Sequence, residues 1–289
     1  MLLWLTAVAM VLGCLSAAPG RALGAGETPY PVPYSGAGAG GVVLVKTRSQ
    51  LCSGAVIQGS RAVVTAAHCL VSRGVVAREV SVVIDGRAYT PYSIGVRADY
   101  EQPAMWCGVL QKAQCTPTNG DFAVLWFRVA LPRTGLLLSR CAGDPTCRPE
   151  QAPSGRTVLL GYQMTGANGV RVAPAASQEQ ALRPALTVIG DPENSGATQP
   201  LRAVLHGCSI SAEHRIRYSN NALGVRCGLI QAGSGGVLVS SDGRVILGIT
   251  SGVYGSNLWN LIVPGAHVRN AVWGDQRFFT WHAVANSSR

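Results

Sequence analysis

The sequence predicts an all-β protein, a sandwich or a barrel, and three observations favour this fold class. Glycine and proline are plentiful among the 289 residues, at 35 and 16, whereas aromatic residues make up only 6%. No long stretch has the periodicity of an amphipathic helix. Short apolar runs bounded by turn residues recur instead, which is the pattern of short strands. The clearest runs are residues 41–45, 80–84, 122–126, 158–160, 237–239 and 245–249.

The N-terminal stretch predicts export. Residues 2–18 are apolar and uncharged, and Ala22 and Gly24 then offer a cleavage point. We expect a secretory signal peptide over residues 1–24, although only the terminal amine supplies positive charge there. A retained membrane anchor is one alternative, but the stretch is short for a bilayer span. A lipoprotein anchored through Cys14 is another. Beyond this stretch, residues 25–40 are rich in Gly, Pro and Ala and predict a flexible lead-in.

The cysteine count also favours an exported protein. Removal of a signal peptide discards Cys14 from the nine cysteines and leaves eight, an even number. Eight cysteines allow 105 connectivities, of which the local one pairs neighbours. A zinc site is the rival interpretation, but the chain has no Cys-x-x-Cys and most histidines lie away from the cysteines. We therefore predict disulfides and no metal. The local pairs are Cys52 with Cys69, Cys107 with Cys115, Cys141 with Cys147, and Cys208 with Cys227.

Three short segments carry residues that suit nucleophilic acyl transfer. His68 lies in Thr-Ala-Ala-His-Cys, Asp121 in Asp-Phe-Ala-Val-Leu, and Ser234 in Ala-Gly-Ser-Gly-Gly. A serine hydroxyl needs a base within hydrogen-bond reach, and that base needs a carboxylate to fix its tautomer. Asp121 begins an apolar run, where an unpaired charge is costly. Asp99 and Asp144 are the nearest alternatives, and neither precedes such a run. The order His, Asp, Ser differs from that of subtilisin-like and α/β-hydrolase enzymes.

These segments resemble the motifs of the chymotrypsin-like (trypsin-fold) serine proteases, most of all those of the bacterial secreted type. The segment Cys-Ser-Gly-Ala-Val-Ile at 52–57 is similar to the family's Cys-Gly-Gly-x-Leu-Ile. Gly161-Tyr162 resembles its Gly-Trp-Gly turn, and residues 247–252 resemble the strand beside the bound substrate. The likeness covers roughly residues 40 to 270.

The resemblance implies a fold of two perpendicular six-stranded antiparallel β-barrels with the active site between them. The N-terminal barrel is then expected over 41–140, a crossover over 141–155, and the C-terminal barrel with a C-terminal segment over 156–289. The resemblance also supports one disulfide in particular, the bridge from Cys52 to Cys69 that flanks the catalytic histidine.

The resemblance also assigns the catalytic roles. His68 is the general base and then the general acid, Asp121 orients it, and Ser234 is the nucleophile. The backbone N–H groups of Ala232 and Ser234 form the oxyanion hole. The family usually has glycine where Ala232 stands, so a positive φ there would add strain. Gly233 replaces the aspartate that pairs with a new N-terminus in vertebrate zymogens, and the chain has no Ile-Val-Gly-Gly. We expect no activation by that ion pair.

The substrate pocket is expected to favour an uncharged P1 side chain. The resemblance implies that its base lies near Gly228, and no acidic residue occurs from 220 to 234. The resemblance also implies that Ser251 offers its carbonyl to the substrate, that Gly252 follows it, and that Val253 narrows the pocket.

The predicted function is that of a secreted serine endopeptidase, a monomer acting on polypeptides without a cofactor. A non-catalytic peptide-binding module of the same fold is the alternative, and Ala232 is its best support. The formal charge of +10 comes from scattered arginines, without the aromatic interleaving of single-strand binders, so no nucleic-acid partner is predicted. No stable membrane insertion is expected after signal removal.

Overall fold

The described residues of the protein, taken from a computed structural model, form two curled β-sheets. The structure describes residues 31–72, 74–97, 120–139, 156–165, 202–211, 214–217, 223–229, 232–254, 259–273 and 279–284. The predicted all-β class is confirmed. Each of the six apolar runs that the sequence singles out overlaps a strand.

The first sheet has eight strands in the order β19-β9-β10-β4-β3-β2-β7-β8. Every neighbouring pair in it is antiparallel. Its strands are β2 Val42–Thr47, β3 Leu51–Val56, β4 Ala62–Thr65, β7 Val80–Ile84, β8 Arg87–Tyr89, β9 Ser93–Arg97, β10 Ala123–Trp126 and β19 Phe279–Ala283. A separate hairpin joins β5 Val71–Ser72 to β6 Val75–Val76.

The second sheet has nine strands, eight of them in the order β1-β13-β12-β16-β17-β18-β15-β14. The ninth, β11, pairs with β17 in parallel. The strands are β1 Val32–Pro33, β11 Leu137–Leu138, β12 Thr157–Thr165, β13 Arg202–Ile210, β14 Arg215–Arg217, β15 Leu223–Arg226, β16 Val237–Val239, β17 Val245–Tyr254 and β18 Trp259–Pro264. An α-helix, α1, spans Gly265–Trp273, and 3-10 turns span Ala39–Gly41 and Ala67–Cys69.

Strands β4 and β10 of the first sheet are buried on both faces. One face lines the core enclosed by the first sheet, which forms the first barrel, and the other packs against the second sheet. In β4, Val63 lies in the core of the first barrel while Val64 lies in the cluster between the sheets. In β10, Leu125 and Val124 divide in the same way. Alternation with period two along a strand produces this division. The ends of β4 and β10 are thereby held where the two sheets meet.

At each end of the described chain, one strand pairs across the expected division of the sequence. Within the expected flexible lead-in, β1 pairs with β13 of the second sheet. Near the other end, β19 pairs with β9 of the first sheet instead of adding to the second. The sheets also hold eight and nine strands, not six each, because short edge strands such as these extend them. Gly161-Tyr162 lies inside β12 and is not a turn.

Candidate active site

The structure brings His68 and Asp121 into direct contact. The imidazole Nδ1 lies 2.8 Å from Asp121 Oδ2, and the backbone N–H of His68 donates to Asp121 Oδ1 at 3.0 Å. Both carboxylate oxygens are therefore engaged by one residue. When Nδ1 carries the proton and donates it to the carboxylate, the lone pair of Nε2 is free to act as a base. The His68 side chain is 12% exposed, whereas Asp121 is fully buried.

Local structure explains why these two residues meet. β4 ends at Thr65, and the 3-10 turn Ala67–Cys69 then lifts His68 out of the sheet. Asp121 lies just before β10, which pairs antiparallel with β4, so Ala123 stands opposite Thr65. The disulfide from Cys52 to Cys69 confirms that predicted pair and ties the histidine turn to β3.

The contact raises the pKa of His68 and lowers the pKa of Asp121. Burial by itself lowers the pKa of His68, but the negative charge and hydrogen bond of Asp121 outweigh it, so the pKa lies above the ordinary value. Burial raises the pKa of Asp121, but the charge of His68 and the hydrogen bonds from His68 and Ser251 hold it below its ordinary range. Asp121 is therefore ionised at neutral pH and supports a cationic histidine.

Ser251 contributes a second donor to the buried carboxylate. Its hydroxyl donates a short hydrogen bond to Asp121 Oδ2. Ser251 lies at a register shift between Thr250 and Gly252, where β17 has one residue more than β18. Such a bulge re-aims a side chain out of the regular alternation. The sequence predicted only a carbonyl contact to substrate for Ser251, and its hydroxyl role was missed.

Ser234 lies on a tight turn between the two sheets. The Ser234 carbonyl accepts from the backbone N–H of Ser53 at 2.7 Å, and the N–H of Gly235 donates to Thr250 O at 2.7 Å. The turn is closed by a bond from Gly236 N–H to Gly233 O at 3.0 Å. Gly235 has φ +77°, and a Cβ there would collide with the Ser53 carbonyl and the Thr65 hydroxyl. The turn therefore requires glycine at 235.

Backbone hydrogen bonds tie the Ser234 turn to segments that also hold His68 and Asp121. The backbone next to Ser234 contacts Ser53 and Thr250, which are next in sequence to Cys52 of the histidine disulfide and to Ser251. Among the described contacts there is no hydrogen bond between Ser234 Oγ and His68 Nε2. Catalytic hydrogen bonds are often long before substrate binds, so this geometry is compatible with a nucleophile and its base.

Ala232 adopts the left-handed backbone region that glycine favours. Its φ is +66°, and an L-residue there costs about 1 to 2 kcal/mol. It belongs to a small buried apolar cluster with Leu44, Leu51 and Met164. Burial of one methyl contributes about 0.8 kcal/mol, which offsets part of that strain. The sequence had raised this strain as conditional on a positive φ, and the structure has that φ.

The residues predicted to form the pocket are held by Asn260 and by the pairing of β17 with β18. Gly228 is buried with φ +76°, and Asn260 Oδ1 accepts from the N–H groups of Gly228 and Leu229 at 2.9 and 3.1 Å. Asn260 Nδ2 donates to Leu229 O at 2.8 Å, so one buried amide fixes this segment. The sequence analysis missed Asn260 because it lies 32 residues after Gly228, and no local motif links the two. Gly252 is half-buried and open to solvent on its Cβ side, and Val253 is paired with Asn260 in β18.

A cleft of about 510 Å³ opens beside His68. Its wall is mixed: apolar side chains such as Leu70 and Val75 lie beside the charged side chains of Arg48, Arg78 and Glu79.

The remaining predicted residues divide between the described chain and the rest. The pair Cys208–Cys227 is confirmed as a disulfide, with the bridge holding β13 to the end of β15. Cys107, Cys115, Cys141 and Cys147 lie outside the described residues. In the described ranges, no group of three His, Cys, Asp or Glu is close enough to hold a metal ion. No helix in the same ranges is long and apolar enough to cross a membrane.

Comparisons with known proteins agree with this architecture. Residues 31–127 match the model of the Trypsin family. Human heparin binding protein matches at a TM-score of 0.50 with 14% identity, covering 86% of this chain and 96% of that one. A Glu endopeptidase also matches at 0.50 with 13% identity, covering 86% and 97%. The Vibrio cholerae VesB protease matches at 0.49 with 16% identity, covering 85% and 67%. No curated protein matches the chain.

The predicted resemblance and the predicted fold are thereby confirmed: the chain has the two-barrel fold of the chymotrypsin-like serine proteases, and its first barrel matches the Trypsin family model.

Proposed function

We propose that this protein is a secreted serine endopeptidase that uses His68, Asp121 and Ser234 as its catalytic residues. The observation that carries the proposal is the buried pair of His68 and Asp121, with Nδ1 2.8 Å from Oδ2 and both carboxylate oxygens engaged. A buried ionised carboxylate is costly unless it is paired. A histidine held in this tautomer next to a serine on a glycine-rich turn is the arrangement that acyl transfer needs.

Acylation begins with attack of Ser234 Oγ on the substrate carbonyl carbon. His68 Nε2 takes the hydroxyl proton, and Asp121 stabilises the resulting imidazolium. The N–H groups of Ala232 and Ser234 are the proposed donors to the oxyanion, and one such donor is worth roughly 3 kcal/mol. His68 then gives its proton to the leaving amine, so the peptide bond breaks and an ester of Ser234 remains.

Deacylation repeats these steps with water. His68 Nε2 removes a proton from the attacking water, the second tetrahedral intermediate forms, and the proton returns to Ser234 Oγ as the acid product leaves. No step requires a cofactor.

A peptide-binding module without catalysis is the second candidate, and the backbone of Ala232 favours it. A strained alanine at φ +66° in the proposed oxyanion hole is a departure from the family's usual glycine. The fold alone does not decide between catalysis and binding, because one protein of this fold is named as a heparin binding protein and another as an endopeptidase. The intact trio of side chains supports catalysis, since binding alone has no use for a buried His–Asp pair.

The substrate is proposed to be a polypeptide with an uncharged P1 residue. No acidic residue occurs from 220 to 234, so a cationic P1 group would lack a counter-charge there. The base at Gly228 is buried and held by the neutral amide of Asn260.

Active-site labelling tests the proposed chemistry. The mature protein is treated with a fluorophosphonate probe and analysed by intact mass, beside Ser234→Ala and, as control, Ser240→Ala. Ser240 is a buried serine whose hydroxyl contacts Asp242 in a hairpin away from the turn. We expect one adduct in the parent chain and in the control and none in Ser234→Ala. Labelling that survives Ser234→Ala contradicts the assignment, and a folded parent chain that neither labels nor hydrolyses peptides supports the binding module.

Secretion is the remaining part of the proposal. The disulfides Cys52–Cys69 and Cys208–Cys227 are typical of oxidising compartments. Mass spectrometry of the mature N-terminus tests it: cleavage near residue 24 is expected, whereas a lipid-modified Cys14 at the N-terminus indicates the lipoprotein alternative.

A further inference from the structure

Ser53 links the first barrel to the turn that carries Ser234. It lies in β3 and is fully buried. Its backbone N–H donates to Ser234 O at 2.7 Å, and its carbonyl accepts from the Thr65 hydroxyl at 2.7 Å. Its own hydroxyl donates to Ala232 O and accepts from Tyr162 N–H, each at 2.7 Å. One residue thus holds the chain on both sides of Gly233.

The hydroxyl bond bears on the strained residue of this turn. Ala232 has φ +66°, and an alanine gains by leaving the left-handed region. To leave it, the backbone must rotate the peptide on one side of Ala232 or the other. Rotation of the peptide that follows Ala232 would withdraw the Ala232 carbonyl from Ser53 Oγ and leave it buried without that partner. The Ser53 hydroxyl therefore opposes one of the two routes by which the turn could relax.

We propose that Ser53 is a positioning residue for the oxyanion hole. Its hydroxyl holds the Ala232 carbonyl and so keeps the peptide between Ala232 and Gly233 in the orientation that the turn requires. Ser53 thus supplies a side-chain anchor at the place where the chain has a strained alanine. This inference rests on the proposed function, because it assigns a role within the same site.

A purely structural role makes a different prediction. If Ser53 served only to satisfy the buried Tyr162 N–H, its loss would lower stability and leave the chemistry of the folded enzyme intact. If it holds the oxyanion turn, its loss lowers kcat with little change in KM, because the donor acts on the transition state. The loss must also depend on the residue at 232, since a glycine has no strain to release.

The test is a cycle of Ser53→Ala, Ala232→Gly and the double variant, with Ser240→Ala as control. We expect Ser53→Ala to lower kcat roughly 10- to 100-fold and to slow fluorophosphonate labelling by a similar factor. The loss caused by Ser53→Ala should be at least about threefold smaller when residue 232 is glycine. Ser240→Ala should lower stability and leave kcat unchanged. If Ser53→Ala does not fold, Ser53→Cys replaces it, because a thiol fills similar space and is only a weak hydrogen-bond donor.

A kcat of the folded Ser53 variant within twofold of the parent value overturns the inference, as does an equal loss in both backgrounds. These outcomes leave the proposed function standing, since the parent chain is then active. If the parent chain is inactive, the proposed function fails and crystal structures of the parent and of Ser53→Ala decide the inference. A positive φ at residue 232 that persists without the hydroxyl overturns it, and a changed turn supports it.

Discussion

The pKa of His68 determines where the proposed activity rises with pH. Only the neutral imidazole accepts the serine proton, and Asp121 holds the pKa of His68 above its ordinary value of about 6.5. The acid limb of kcat/KM should therefore lie above that value, with activity gained as the pH rises through it. Asp121→Asn removes the charge, so burial dominates, the limb moves to lower pH and kcat falls on the order of 10⁴-fold. If the acid limb of kcat/KM in the parent chain lies below the ordinary histidine pKa of about 6.5, this prediction is contradicted.

Gly235 is required because a side chain there would collide with neighbouring atoms. Gly59 serves as the control, because a side chain there would meet only the backbone strain. Gly235→Ala places a Cβ against Ser53 O and Thr65 Oγ1 at φ +77°, so we expect a loss of roughly 2 to 5 kcal/mol in the free energy of unfolding. Gly59 has a similar φ of +72° and open space around it. Gly59→Ala should cost only the backbone strain, about 1 to 2 kcal/mol. Urea denaturation of both variants checks the difference, and equal losses would exclude the steric clash as the cause.

At the scale of single residues, the sequence could identify the candidate catalytic residues, but it could not identify all the side chains that contact them. His68, Asp121 and Ser234 were recognisable because each sits in a distinctive local motif. The hydroxyls of Ser53 and Ser251 were not, because their partners are 179 and 130 residues away. A serine in an apolar strand such as β3 does signal that a buried partner exists, since a buried hydroxyl without one is costly. It does not identify that partner.

At the scale of elements, the two confirmed disulfides hold different parts of the site. Cys52–Cys69 fixes the 3-10 turn of His68, whereas Cys208–Cys227 ends next to Gly228. They span 17 and 19 residues, so each should contribute about 3 kcal/mol to stability in the chain-entropy model.

Replacing both cysteines of either bridge with alanine should therefore cost similar stability, but the two double variants should differ in kcat and KM. Removal of Cys52–Cys69 should lower kcat by roughly tenfold or more, because misplacing a catalytic group by about 1 Å is that costly. Removal of Cys208–Cys227 should mainly raise KM, since it loosens the pocket base. Calorimetry and steady-state kinetics below both melting temperatures check this, and identical kinetic changes would contradict the assignment of the two bridges to separate parts.

Strand existence was predictable from local pattern, whereas strand pairing was not. Runs such as 80–84 and 237–239 match β7 and β16 residue for residue. The bulge at Ser251 depends on the length of β18 opposite it, which no motif in β17 encodes. Gly161-Tyr162 resembled a turn in isolation, but both residues pair with β13, opposite His206 and Leu205, and so continue β12 as a strand.

At the scale of the whole molecule, the ends of the described chain cross between the sheets. β1 pairs within the second sheet and β19 within the first, so neither sheet is built from one continuous half of the sequence. The predicted division into 41–140 and 156–289 followed the order of the chain. It could not include these strands, because long-range pairing of edge strands leaves little trace in composition or period. The crossing strands interlock the two sheets, and this should couple their unfolding.

Phe279 in β19 tests that coupling. It is 6% exposed, and its ring meets Phe122 edge to face with centroids 6.0 Å apart. Phe122 follows Asp121, so this contact lies behind the carboxylate. Phe279→Ala should cost about 3 to 5 kcal/mol and lower the melting temperature of the whole molecule in a single transition. Val129→Ala, at a side chain 61% exposed, should change stability by about 0.5 kcal/mol or less.

Calorimetry with simultaneous near-ultraviolet circular dichroism distinguishes the outcomes. If β1 and β19 couple the two sheets, both probes follow one transition in the parent chain and in Phe279→Ala, and the variant also loses activity because Asp121 is less firmly supported. If the sheets are independent, Phe279→Ala lowers the transition of the first sheet alone and two transitions separate. In that case the crossing strands would be simple edge additions, and the site between the sheets would depend for its geometry on local contacts such as those of Ser53 with Ala232 and Ser234.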